Sequence, residues 1–503
     1  MMNVIKLLSA LLVYFACEWS PPSSKAAERM NLLVIQTDEH SFRTLGCYRD
    51  LMKPDQALIW GPDAQVETPA IDSLAKRGAI CTSFYATSPV CTPSRASFFT
   101  GVYPQHTGSP ANDLPLRNDM VTFAEVLRGE GYQTGYAGKW HLDGGGKPQW
   151  APRRQFGFAD NRFMFNRGHW KKFELVEGMP RVAARKKGQP SYGLDGANEI
   201  SFTTDWLTDR ALDFIEENAA GPFCYHLSLP DPHGPNTVRP PYDTMYRGMV
   251  IRPPATFLNT VANPKWAPTS GNNGPKQFRA DMMAAYFGMV KCIDDNVQRI
   301  INRLRKLDLL DTTVIVFTSD HGDLCYEHGR LNKGIPYEAS ARIPMIIAAP
   351  GKVNGGTVID AALGTVDFAP TILPLLGAET PDGVQGRDFG RLLQKDGSQT
   401  SKSWKDVVIL RNAGVKTSWM AAVSDRYKLV LSTSDRPWLF DLEQDPDELF
   451  NQLDKPIDRL EVKTVVRSLA SSLANYQRNV GDEHLKNQHL KQQLADLLDS
   501  NGP

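Results

Sequence analysis

The sequence predicts an α/β protein in which a large mixed, mostly parallel sheet is sandwiched by helices, followed by a smaller C-terminal subdomain with an antiparallel sheet. Three observations predict it. Short apolar runs recur along the chain and several end in polar clusters, as buried central strands do; stretches with helical spacing lie between them; and after about residue 395 the runs become short strand candidates separated by turns.

With 503 residues the chain accommodates one large domain and a smaller one. Apolar residues make up 41% and charged residues 22%, the balance of an ordinary globular protein. The 56 basic and 56 acidic side chains cancel. No global field therefore draws the protein to nucleic acid or to an anionic membrane, and any anion it handles must be held by a local cluster. Residues 1–27 read as a signal peptide: Lys6, the apolar run Leu7 to Ala16, a polar stretch with Pro21 and Pro22, and small residues that suit cleavage near Ala26 or Ala27. That implies export, to the periplasm or the exterior. The run is too short for stable membrane insertion, and bulky Tyr14 and Phe15 argue against a lipid anchor on Cys17. Setting aside Cys17 and Cys91, the cysteines at 47, 81, 224, 292 and 325 have no metal-type spacing. Either one or two disulfides or free buried thiols suit them.

In chain order, Asn31 to Thr37 reads as a buried central strand ending in Asp38. Helical patterns follow at Thr68 to Arg77 and Thr122 to Gly129. Residues 143–198, rich in Gly, Lys, Arg and aromatics, read as an inserted loop that either shapes a binding mouth or is solvated irregular structure. In the first case Trp150, Phe163, Phe165, His169 and Trp170 would stack on sugar rings or form a hydrophobic floor, and Arg153, Arg154, Arg162, Arg167, Lys171 and Lys172 would meet neighbouring anionic groups. A strand at Pro222 to Leu229 leads to His233. Met282 to Leu310 has the pattern of a long amphipathic helix, Thr312 to Thr318 is a strand ending in Ser319-Asp320-His321-Gly322, and Pro344 to Ala349 is a further strand. Residues 28–395 thus form the expected catalytic domain and 396–503 the α+β subdomain. The latter holds strands near Val407–Leu410, Met420–Val423, Tyr427–Leu431 and Trp438–Leu442, and a polar helical tail from about Asp458 to Leu498 docked on them.

In open α/β sheets ligands gather beyond the carboxyl ends of the strands, where Asp38, Glu39, His233, Asp320 and His321 all fall. Two carboxylates from one strand end, with an Asp and a His from another, suit one hard divalent cation, calcium ahead of magnesium.

The stretch Cys91-Thr-Pro-Ser-Arg95-Ala-Ser-Phe-Phe-Thr-Gly101 resembles the signature of the sulfatase family, formylglycine-dependent enzymes of the alkaline phosphatase-like superfamily. Gly131-Tyr-Gln-Thr-Gly-Tyr-Ala-Gly-Lys139-Trp-His141 resembles that family's second signature, and the resemblance extends to Asp38, Glu39, His233, Ser319 to Gly322, Lys333 and Trp438 to Glu448. It implies an alkaline phosphatase-like fold and a sulfuric ester hydrolase in which a maturation enzyme oxidises Cys91 to formylglycine, whose hydrate attacks the sulfate ester. It further implies Asp38, Glu39, Cys91, Asp320 and His321 around the metal. Arg95 would brace the diol and the ligand carboxylates, and Lys139 would hold the diol and sulfate. His141 would take a proton when sulfate leaves, and His233 and Lys333 would flank the ester oxygen, one as general acid. His328 competes with Lys333 for the last position, while His40 and His106 are structural or supporting. Glu39 and His321 depart from the Asp and Asn that other members carry. A sulfated carbohydrate is the expected substrate. The alternatives are a phosphonate or phosphate ester hydrolase of the same superfamily and a glycan-binding protein without activity. Nothing in the sequence specifies the sugar, the sulfate position, exo or endo action, or an oligomeric state.

Overall fold

The computed structural model describes residues 29–258, 261, 264–267, 274, 276–394, 406–414, 416, 418–454 and 460–499. The expected signal peptide 1–27 and the expected boundary at 395–396 lie outside these residues. Eight strands form the main sheet: β1 (Asn31–Asp38), β2 (Ala79–Cys81), β3 (Gln133–Lys139), β4 (Asp160–Phe165), β5 (Phe223–Pro232), β6 (Thr313–Ser319), β7 (Met345–Ala348) and β8 (Thr357–Ile359), in the order β8-β2-β7-β6-β1-β5-β3-β4. β7 runs antiparallel to β6 and β2, and the other pairings are parallel.

Alternation along the central strands sorts the core into two layers. Leu32 and Val34 of β1 and Val314 and Val316 of β6 face one side with Phe98, Phe99, Phe123 and Phe368. Leu33, Ile35, Ile315 and Phe317 face the other with Ile71, Leu74, Leu207, Ile215, Ile293 and Val297. The helices on the first side are α2 (Cys91–Thr100), α3 (Phe123–Gly129) and α6 (Phe368–Leu375). Those on the second are α1 (Pro69–Arg77), α4 (Thr203–Glu217) and α5 (Ala280–Lys306). α3 starts as its sequence requires, since Thr122 and Glu125 form a capping box.

The C-terminal strands β9 (Val408–Arg411), β10 (Trp419–Val423), β11 (Tyr427–Ser432) and β12 (Trp438–Asp441) form an antiparallel meander. One face, with Met420, Leu429 and Leu431, receives Leu469 and Leu473 of α7 (Leu460–Asn479) and Leu490 of α8 (Gln488–Leu498). The other face, with Trp419, Val430 and Phe440, packs on Tyr337, Tyr85 and Leu324 of the main body. The described cysteines at 47, 81, 91, 224, 292 and 325 are all free thiols. Among the described residues no helix is long and apolar enough to cross a membrane.

Residues 160–165 differ from the expectation of a surface loop: they are β4, the edge of the main sheet, parallel to β3. The physical reason is a short strand whose alternation is masked, because Phe163, Met164 and Phe165 are consecutive and pack to different sides.

Candidate active site

Strand register explains why residues remote in sequence meet. Thr37 is the partner of Ser319, Asp38 of Pro232, and Lys139 of Phe165. The five neighbouring parallel strands β6, β1, β5, β3 and β4 therefore end along one edge and deliver, side by side, Asp320 with His321, Asp38 with Glu39, His233, Lys139 with His141, and Arg167 with His169. The carbonyls of Phe165 and Asn166 accept the backbone N–H groups of Trp140 (2.8 Å) and His141 (2.6 Å), so the β4 exit is tied to the β3 exit.

Cys91 and Arg95 come from the first turns of α2, four residues apart and hence on one face of the helix. Pro93 is tolerated there because first-turn N–H groups have no partner within the helix. The N–H of Thr92 is taken instead by Asn112 Oδ1 at 3.0 Å.

Asp38, Cys91, Asp320 and His321 each place one donor atom within 4.8 Å of the others, and all are buried. Cys91, present as the encoded thiol, has Sγ 3.1 Å from His321 Nε2, 3.5 Å from Lys139 Nζ and 3.9 Å from Asp38 Oδ1. His321 Nδ1 lies 3.0 Å from the Gly322 carbonyl, a bond that holds the ring with Nε2 toward the carboxylates. Burial opposes charge on this ring, yet Asp320 beside it lifts its pKa to about 9, so positive charge is favoured between these carboxylates. Two carboxylate oxygens and an oriented imidazole nitrogen at such a point fit a divalent cation.

The carboxylates are in turn compensated. Fully buried Arg95 donates from Nε to Asp320 Oδ2 at 2.9 Å, and from Nη1 to the Lys139 carbonyl, Gln36 Oε1 and Ser228 Oγ; its Nη2 lies 3.7 Å from Asp38 and has no hydrogen-bond partner. Lys139 Nζ donates to Asp38 Oδ2 and to His169 Nε2, the latter at 2.9 Å. Burial disfavours ionised Asp38, but Lys139, His233, His169 and Arg95 together hold its pKa well below the usual carboxylate range. The thiol of Cys91 is likewise opposed by burial and pulled well below its ordinary value by Lys139 and Lys333.

Glu39 is placed beside, and not within, the four-donor group. Its carboxylate meets His233 Nε2 at 2.9 Å and Lys333 Nζ at 3.1 Å. Against burial, His233 and Lys333 beside it hold its pKa at about 2. Lys333 Nζ is also 2.8 Å from His233 Nε2, so the residues expected to flank the ester oxygen do stand together. His328, the competitor of Lys333, is instead stacked on Tyr337 at 3.9 Å. His40 is locked between Thr37 and Thr44, and His106 lies 2.8 Å from Gln385.

Asp38, His169 and His233 form a second compact group, but lysine ammonium groups already sit on both imidazoles, Lys139 on His169 and Lys333 on His233. These fixed charges take the place a second cation would need.

Sequence reasoning gave His169 only an aromatic role. Its ring stacks on His233 with centroids 3.5 Å apart, and burial, with His233 and Lys139 alongside, depresses its pKa well below the ordinary value. The signal was present: Phe163 to Phe165 is a short apolar run ending in a polar cluster, as β1 and β6 are. Asp113, which accepts from His141, had no such signal. The loop is also less open than expected. Trp170 is buried and donates to the Arg167 carbonyl, Lys171 is buried against Asp231, and Arg154 and Arg162 are held by Glu125 and Asp160.

Comparison with known proteins follows the same line. A family model described as Sulfatase matches residues 30–378, and one described as N-sulphoglucosamine sulphohydrolase, C-terminal, matches residues 326–479. The chain is 28% identical over 436 residues to an ulvan-active sulfatase of Formosa agariphila, covering 85% of this chain and 79% of that protein. It is 24% identical over 564 aligned positions to an N-acetylglucosamine-6-O-sulfatase of Bacteroides thetaiotaomicron, covering 96% and 93%. Among solved structures, a phosphonate monoester hydrolase from Silicibacter pomeroyi shares the fold with a TM-score of 0.69 at 22% identity, covering 91% of this chain and 97% of that one.

Proposed function

The chain belongs to the sulfatase family and is a sulfuric ester hydrolase; on that premise we propose that it is an exported enzyme that releases inorganic sulfate from a sulfated carbohydrate, with its nucleophile made from Cys91. The observation that carries this reading is the position of Cys91. Its sulfur stands among two carboxylates, an oriented imidazole and a fully buried lysine, at the start of a helix. In this reading residues 28–395 form the catalytic unit and 396–503 a C-terminal unit. The relative named as an N-acetylglucosamine-6-O-sulfatase supports a carbohydrate substrate.

Asp38, Asp320 and His321 would hold one divalent cation, calcium ahead of magnesium, beside residue 91. That cation would supply positive charge for the sulfate oxygens and a lowered hydroxyl pKa, and formylglycine, made by a maturation enzyme, the hydroxyls for attack and for later expulsion of sulfate. The other residues bind and move protons. Arg95 braces Asp38 and Asp320 so that their oxygens stay aimed at the centre. Lys139 faces residue 91 and takes a sulfate oxygen, placing fixed positive charge where negative charge spreads in the transition state. Glu39 holds His233 and Lys333 together, and one of these two donates the proton to the departing alcohol oxygen. His141 accepts a proton as sulfate is expelled.

The competing reading, phosphonate or phosphate ester hydrolysis, shares the fold with the Silicibacter protein. Lysines at both imidazoles of the second group favour the less charged sulfate, because phosphate commonly recruits a second cation. The test is release of inorganic sulfate by protein matured in its host and supplied with calcium, from a panel of defined sulfated sugars, with phosphate and phosphonate esters in parallel. Sulfate release from a sugar is expected, with a loss of at least about a thousandfold in Cys91→Ala and reversible loss on chelation. No release from any ester by protein whose residue 91 is shown by mass to be oxidised, or phosphonate turnover far above sulfate turnover, overturns the reading.

A further inference from the structure

His141 lies at a positive φ of 62°, and so does the residue that holds it, Asp113, at 68°. Both oxygens of Asp113 are engaged: Oδ1 accepts from His141 Nε2 at 2.9 Å, and Oδ2 pairs with Arg167 Nη1 at 3.0 Å. A carboxylate only accepts, so the ring proton of neutral His141 lies on Nε2 and Nδ1 keeps its lone pair. Nδ1 is buried and has no hydrogen-bond partner. An unpaired buried acceptor is costly to maintain, and here it sits on a residue whose carbonyl accepts from Thr92 Oγ1 at 2.9 Å, directly beside Cys91. Asn112, next to Asp113, accepts the N–H of the same Thr92. The turn carrying Asn112 and Asp113 thus ties the start of α2 to His141.

We propose that Asp113 is a positioning residue for His141, holding it in the Nε2–H tautomer with Nδ1 free to take the proton released as sulfate is expelled, and that Arg167 holds Asp113 in place. This rests on the reading of His141 as that proton acceptor. The balance is simple: Nδ1 gains the proton, imidazole becomes imidazolium, Asp113 stays a carboxylate bonded to Nε2–H, and the proton then passes to solvent. Arg167 lies two residues beyond β4, so the loop it starts takes part in the chemistry through Asp113.

The first readout needs no matured enzyme. In protein retaining the unmodified Cys91 and labelled with ¹⁵N-histidine, the His141 ring of the wild type is expected to show the Nε2–H tautomer. Asp113→Gly, which suits the positive φ and removes the carboxylate, is expected to lose that fixed tautomer, Asp113→Asn to retain it through its amide oxygen, and Arg167→Met to weaken it. In matured protein, Asp113→Gly is expected to lower kcat about tenfold to a hundredfold with KM little changed, with Asp113→Asn recovering most of the loss. A wild-type ring protonated on Nδ1, or an Asp113→Gly ring identical to wild type with unchanged kcat, overturns the proposal. His141→Ala separates the two levels. If it keeps wild-type kcat, the role of His141 itself fails; if it loses kcat while Asp113→Gly does not, only the role of Asp113 fails.

Discussion

Lys171 is fully buried and reaches Asp231 Oδ1 at 2.5 Å, while Thr204 donates to the other oxygen of that carboxylate at 2.6 Å. Composition alone reads a basic residue in a polar loop as solvated; this one instead anchors the loop on β5, two residues before His233. Burial acts differently on His328. Its ring, stacked on Tyr337, is held neutral because desolvation lowers its pKa from 6.5 to about 3. A folded pKa below the unfolded one means that this residue's contribution is complete above about pH 6.5 and is lost as pH falls from there through about 3. The stability of wild type relative to His328→Asn, a residue that suits the positive φ of 53°, should therefore fall by up to about 2 kcal/mol between pH 7.5 and pH 5. Denaturant titrations of both proteins at the two pH values check this. A constant difference would show that the ring is not held neutral.

At the scale of elements, the site depends on how closely β3 and β5 approach. Gly138 has a φ of 110°, and a Cβ placed on it would stand 1.8 Å from the Ser228 carbonyl oxygen. No flexible side chain is available to yield there, only the backbone of the neighbouring strand. Gly138→Ala is expected to cost about 3 kcal/mol or more and to displace Lys139, so that thermal stability and kcat fall together. A melting curve and a rate measurement on the purified variant decide it, and a wild-type melting temperature would refute the argument. Gly101 ends α2 in the left-handed region with a φ of 69°, as a helix C-terminus commonly requires. The Gly residues of both signature stretches thus serve the backbone geometry that carries Cys91 and Lys139.

Across the whole molecule, the C-terminal sheet is joined to the main body by charge as well as by the apolar face around Trp419. Fully buried Lys428 of β11 bridges Glu338 of the main body at 2.7 Å and Glu448 at 2.8 Å. Tyr85 donates to Glu338 at 3.2 Å, and the Glu338 N–H donates to Glu448 at 2.7 Å. Removing the ammonium group leaves two carboxylates buried side by side. Lys428→Met is expected to destabilise the fold by about 3–5 kcal/mol without touching the active-site residues, so kcat per folded molecule should hold while the melting temperature drops. A drop in kcat at full folding would mean that the C-terminal sheet also shapes the site.

The α/β class, the central strands β1, β5 and β6, the long helix α5 and the C-terminal meander were legible because each is written in local periodicity. Cys91, Arg95, Lys139 and His141 were legible because two motifs hold them at short spacing. The neighbours of Glu39 were not, since only the fold brings His233, just beyond β5, and Lys333, on the loop after β6, to its carboxylate. Asp113, and the partners of His169 and Arg167, were hidden for the same reason. Periodicity and motif are properties of neighbours along the chain, whereas the partners of a buried charge are chosen by which strands end side by side, and that is decided only when the sheet is assembled.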